Sequence, residues 1–154
     1  MSKLLDEIRS KQIAKSIKSK ANKPFNNAYK AALITEGAIY VQGFLVFAGQ
    51  PYQPMEHGWI ELNEVIIDPT LPHIQKNPQE LWYFTAQTLT VKKLKAIVEE
   101  SQEDYPEDDP LPIYGKTPYE YYGDVMLGGQ DYLTAFQAAK AKCLEINRLN
   151  VDNN

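Results

Sequence analysis

The chain has 154 residues, with 16 Lys and Arg against 20 Asp and Glu, and its net charge of −4 argues against a general nucleic-acid binder. Apolar residues at 44% and charged residues at 23% are ordinary for one globular domain and exclude a disordered or fibrous chain. A single cysteine, Cys143, excludes an internal disulfide; no apolar run is long enough to span a bilayer, and no apolar segment follows Lys3 and Arg9 as a secretory signal would require, so the expectation is a cytoplasmic protein with no membrane partner.

The elements are expected in the following order. Leu4, Leu5, Ile8, Ile13 and Ile17 recur at helical spacing, with lysines on the other side, and predict a helix over 2–20 capped by Ser2. A second helix is expected over 25–34, with Pro24 at or before its first turn and Gly37 closing it. The period then changes. Ile39, Val41, Phe44, Val46 and Phe47 predict a strand over 38–48, in which Gly43 marks a bulge or a close backbone approach. Residues 56–62 alternate as a second strand, Asn63-Glu64 makes a tight turn, and 65–68 form a third strand ended by Asp68-Pro69-Thr70. Residues 71–80 read as loop, and Trp82-Tyr83-Phe84 starts a short strand over 82–85. Thr90 caps a helix to about Glu100, and the acidic, proline-bearing stretch 101–112 reads as an exposed loop. Thr117-Pro118 starts a short helix to Val125. A long helix over 130–149 carries Leu133, Phe136, Ala139, Ala141, Leu144 and Leu149 as inward candidates. The expected fold is α+β, a short antiparallel sheet packed against N-terminal and C-terminal helices in a single domain over 1–154.

Charge is unevenly spread. Residues 1–30 hold eight of the sixteen basic residues (Lys3, Arg9, Lys11, Lys15, Lys18, Lys20, Lys23 and Lys30) against Asp6 and Glu7. Residues 99–109 hold Glu99, Glu100, Glu103, Asp104, Glu107, Asp108 and Asp109 with no base among them. Such segments attract each other within one molecule or between two.

Neither histidine belongs to a metal-ligand spacing, so no metal or other cofactor is expected. His57 has a different setting. It lies eleven residues before Asp68, at corresponding ends of two strands joined by the Asn63-Glu64 turn. In such a hairpin a carboxylate orients one imidazole nitrogen and leaves the other as a base, while Trp59 walls the pair. A surface histidine beside a turn aspartate is the structural alternative.

His57-Gly58-Trp59 followed by Asp68-Pro69-Thr70 resembles the transglutaminase-like superfamily, whose members carry His-Ala-Trp and then Asp-Pro-Thr. Tyr40-Val41-Gln42-Gly43-Phe44 resembles the strand before that histidine, and Asn27-Ala28 resembles a helix of small bacterial and phage members, so the likeness covers about residues 22–70. It implies a Cys-His-Asp site for acyl transfer or amide hydrolysis, with the thiol at a helix N-terminus about three residues before Asn-Ala, where the helix dipole and the histidine stabilise the thiolate. This chain has Pro24 there, then Phe25 and Asn26. The resemblance therefore implies the fold without its nucleophile.

Three functions compete. The first is a non-catalytic module that binds another protein through Trp59 and the tyrosine cluster Tyr114, Tyr119, Tyr121 and Tyr122, a composition suited to interfaces. The second is a hydrolase or acyltransferase in which His57 and Asp68 activate Cys143 or a water. The third is nucleic-acid binding by the basic N-terminal helix, which the overall acidity disfavours.

Overall fold

The computed structural model describes residues 3–113, 120–122, 125–127 and 129–152. It is an α+β fold. Among the described residues four α-helices, α1 (Glu7–Ile17), α2 (Pro24–Ile34), α3 (Val91–Asp104) and α4 (Gln130–Asp152), accompany a four-stranded sheet of β1 (Ile39–Val46), β2 (Met55–Leu62), β3 (Val65–Ile67) and β4 (Trp82–Thr90) in the order β3-β2-β1-β4. A separate antiparallel pair, β5 (Glu120–Tyr122) and β6 (Val125–Leu127), stands where the sequence suggests a helix to Val125; Thr117 and Pro118 lie outside the described residues. The chain divides into two compact units, and β1, β2 and β4 each pass from one to the other.

The first unit holds residues 1–42, 58–75 and 88–113. Its core gathers Ala28, Ala31 and Ala32 of α2, Tyr40 of β1, Ile60 of β2, Ile67 of β3, Leu94 and Val98 of α3, and Leu111 and Ile113. Alanines line the buried face of α2, which lets the helix backbone approach closely. Pro24 is its first residue, where the missing N–H costs no helical bond. The Thr90 hydroxyl caps α3 by accepting from the Lys93 N–H at 3.3 Å, as the sequence suggests. That helix continues to Asp104, so the first residues of the expected acidic loop form its last turn. Gln42 is buried and acts as a surrogate strand. Its Oε1 accepts from the Ile113 N–H at 2.7 Å and the Tyr40 hydroxyl at 2.6 Å, and its Nε2 donates to the Ile113 carbonyl at 2.6 Å. Those bonds anchor the chain where the acidic stretch ends.

The expected N-terminal helix is shorter than its periodicity suggests. It begins at Glu7, and Asp6 caps it by accepting from the Arg9 N–H. Ser2 lies outside the described residues. Leu4 and Ile8 are 78% and 71% exposed, because Ser10 and Ala14 occupy the buried face instead.

The second unit holds residues 43–57, 76–87 and 114–154. Its core packs Phe44, Val46 and Ala86 against Tyr132, Ala135, Ala139 and Cys143 of α4. Phe44 meets the Tyr132 ring edge-on at 6.5 Å and the Phe136 ring at 5.5 Å. The buried stripe of α4 is therefore 132-135-139-143. Ala141 and Leu144, which the sequence places inward, face solvent. Gly43 fits the expected close approach: a Cβ there would overlap the Phe84 carbonyl oxygen of β4. β4 also runs to Thr90, well beyond the expected 82–85.

Candidate functional site

The hairpin between β2 and β3 is set by its two-residue turn. Asn63 and Glu64 both have positive φ, 52° and 66°, as a turn matched to strand twist requires. Leu62 pairs with Val65, Glu61 with Ile66 and Ile60 with Ile67. β3 ends at Ile67, with Asp68 next in the chain, while His57 and Trp59 stand two residues apart on β2 and so share one of its faces.

Asp68 is fully buried and held from several sides. Its N–H donates to Ser10 Oγ at 2.8 Å, and the Ser10 hydroxyl donates to the Asp6 carbonyl at 2.6 Å. Its Oδ1 accepts from the Thr70 N–H at 2.9 Å, a local Asp turn that fixes the carboxyl group. Thr70 Oγ1 accepts in turn from Asn27 Nδ2 at 2.9 Å, and the Asn27 amide also pairs with both backbone groups of Lys20, at 3.0 and 2.8 Å. The Asn-Ala and Asp-Pro-Thr motifs are thus joined by one hydrogen-bonded bracket. Trp59 has no exposed surface, and its indole N–H donates to Glu61 Oε2 at 3.4 Å. The ring is thus enclosed and not displayed on the surface.

His57, in the second unit, is 3% exposed, and its ring lies 6.2 Å from that of Tyr83. His73 is exposed, with Nε2 3.0 Å from the Ser19 carbonyl and 3.1 Å from the Ser19 hydroxyl. Among the described residues no group of three or more His, Cys, Asp or Glu is placed to hold a metal ion.

The first turn of α2 packs on the residue that follows His57 in the chain. A Cβ on Gly58 would lie 3.0 Å from Phe25 Cδ1 and 3.3 Å from both Phe25 Cα and the Pro24 carbonyl oxygen. Glycine at 58 makes room for the Phe25 ring, and Pro24 offers no nucleophilic atom. Gly58→Ala is expected to cost about 1–2 kcal/mol in urea unfolding, and Phe25→Ala in the same chain to recover part of that cost. Strict additivity of the two substitutions would refute the contact.

Cys143 is 2% exposed among the apolar residues of the second unit's core. Burial pushes its thiol up, only partly opposed by the Asn147 amide, whose Nδ2 lies 3.4 Å from Sγ. That is the setting of an unreactive structural thiol. Alkylation by iodoacetamide at pH 8 is expected to be on the order of 100-fold slower in the native protein than in denaturant, because it must wait for local opening. Equal rates would show that the thiol is accessible.

Of the other expected binding residues, Tyr121 and Tyr122 belong to β5, while Tyr114 and Tyr119 lie outside the described residues. The lysines of the α1–α2 region at 11, 15, 18, 20, 23 and 30 are exposed, as are the acidic residues between 99 and 109. The side-chain bracket through Ser10, Asn27 and Thr70 is what sequence reasoning missed; Asn27-Ala28 and Asp68-Pro69-Thr70 carry its two ends, but nothing in the sequence links them. No helix among the described residues is long and apolar enough to cross a membrane. No family model matches the chain, and neither does any curated protein or solved structure.

Proposed function

We propose that this chain is a non-catalytic, transglutaminase-like module that binds another protein. The observation that carries the first half of this reading is Pro24 at the first position of α2, packed on Gly58, where the resembled family would have its thiol. A helix N-terminus lowers a thiol pKa and activates it; a proline there keeps the helix and forfeits the chemistry. The buried Asp68 and its bracket through Ser10, Thr70 and Asn27 have a structural use that survives that loss, since each satisfies a buried polar group. The binding half is supported by Leu4 and Ile8, two large apolar side chains left exposed near the first turn of α1.

The test is to restore the atom that is missing. Pro24→Cys is expected to create a thiol whose alkylation is already fast at pH 6, about two units below where an ordinary cysteine reacts. An ordinary profile for the thiol introduced at position 24, with a midpoint near about 8.5, would sink the resemblance. Capture from cell lysate that retains no protein at any salt concentration would sink the binding half.

A further inference from the structure

Residues 3–6 precede α1 and are not helical. They lie beside β3 as an extended segment, with Leu5 bridged in parallel to Ile66. The Ile66 N–H donates to the Leu4 carbonyl at 2.7 Å, and the Asp6 N–H donates to the Ile66 carbonyl at 2.8 Å. In the register of β2 and β3, Ile66 is the middle residue of the three, so its backbone groups face away from β2. The segment therefore satisfies the outer edge of the sheet. Lys3 then reaches across to Glu61, the β2 partner of Ile66, with Nζ 2.5 Å from Oε1. The Glu61 side chain is only 7% exposed, and its other oxygen takes the Trp59 indole N–H.

Asp6 is also tied to α1, through Ser10 and the Arg9 N–H, but little else holds residues 3–5. Leu4 is 78% exposed and Leu5 only half-buried, so two backbone bonds and one ion pair carry most of the attachment to the sheet. Segments with so few buried contacts open at a small fraction of global stability. Opening leaves an edge strand with a free N–H and C=O on Ile66, and beside it a nearly buried carboxylate stripped of its cation. Such a carboxylate is costly without a positive partner. The segment itself records what fits: a strand parallel to β3, with an ammonium group at its start and an apolar side chain two residues on.

We propose that the β3 edge is a strand-addition site, occupied in the free protein by its own residues 3–6 and taken in a complex by an extended partner segment that offers a lysine or arginine to Glu61. This rests on the protein-binding reading and names its surface. Main-chain bonds along the edge supply affinity, and the buried carboxylate supplies selectivity for a basic residue.

The probe is a fluorescent peptide with the sequence of residues 1–8, tested against the full chain and against Lys3→Glu, in which like charges at positions 3 and 61 expel the internal segment. The peptide is expected to bind Lys3→Glu at least about ten-fold tighter than the wild-type chain, and a peptide bearing Glu at its third position to lose that binding. Equal binding to both chains, or none to Lys3→Glu, would overturn the proposal. If circular dichroism shows Lys3→Glu unfolded, amide exchange in the wild-type chain decides. The amides of Asp6 and Ile66 are expected to exchange together and at least about ten-fold faster than those of Tyr40 and Val41; equal protection would overturn it. Peptide binding to the edge, with no protein captured by the full chain, would keep the edge site and sink only the broader reading.

Discussion

Gly43→Ala is expected to cost about 3 kcal/mol or more, and to lower the melting temperature by about 10 °C if the protein folds at all. The methyl group would overlap the Phe84 carbonyl oxygen and lie 2.9 Å from the Phe84 carbonyl carbon and 3.0 Å from the Ala86 nitrogen. All three are main-chain atoms of β4, so no rotamer relieves the clash. The adjacent strands β1 and β4 must separate, and Phe44, beside Gly43, is fully buried in the second unit's core. The entropic benefit of replacing glycine, under about 1 kcal/mol, has the opposite sign and is too small to compensate. Urea denaturation of both proteins measures the difference. A loss below about 1 kcal/mol would mean that β1 and β4 do not approach so closely.

Asn27→Ala is expected to cost about 2–4 kcal/mol, because one buried amide serves three partners: the Lys20 N–H, the Lys20 carbonyl and the Thr70 hydroxyl. The effect should reach Asp68, whose carboxyl group is positioned by the Thr70 N–H. Asn27→Asp distinguishes the bracket from mere packing. It keeps volume and one acceptor, but turns the donor toward the Lys20 carbonyl and Thr70 into an anionic acceptor. At pH 7 it should cost at least as much as alanine, and it should recover in part on acidification, when the carboxyl group again donates. Chemical unfolding at pH 7 and pH 4 reads both effects. An aspartate variant as stable as wild type at pH 7 would refute the bracket.

The parts of the fold legible in the sequence were those written locally. Alternation and a polar dipeptide predicted the hairpin around Asn63-Glu64, Thr90 announced its helix, and Pro24 the first turn of α2. The expected α+β class follows from those elements. What escaped depends on distant partners. Leu4, Leu5 and Ile8 have helical spacing, yet residues 3–6 are extended, because their backbone finds Ile66 across about 60 residues. The polar middle of β4, Thr85 to Thr88, hid a half-exposed strand, since only Ala86 among those four is buried. In α4 the apolar Leu144 looked inward, but Tyr132, Ala135, Ala139 and Cys143 set the stripe. Around the site, His57, Asp68 and Asn27 could be marked from the motif. Ser10 and the partner of Gln42 could not, because the bonds to Asp68 and Ile113 span 58 and 71 residues and leave no local pattern.

The two tryptophans fall one to each compact unit. Trp59 is sealed in the first beside a carboxylate; Trp82 is 37% exposed in the second, with the Lys142 ammonium 4.0 Å from its ring centre. The molecule thus carries its own pair of optical reporters. Trp59, in a dry site, should emit to the blue of Trp82, which is wet and faces a cation. Phe in place of either one leaves a single-tryptophan protein whose emission follows one unit alone, so that the melting of each half of the chain can be watched without a dye or a label.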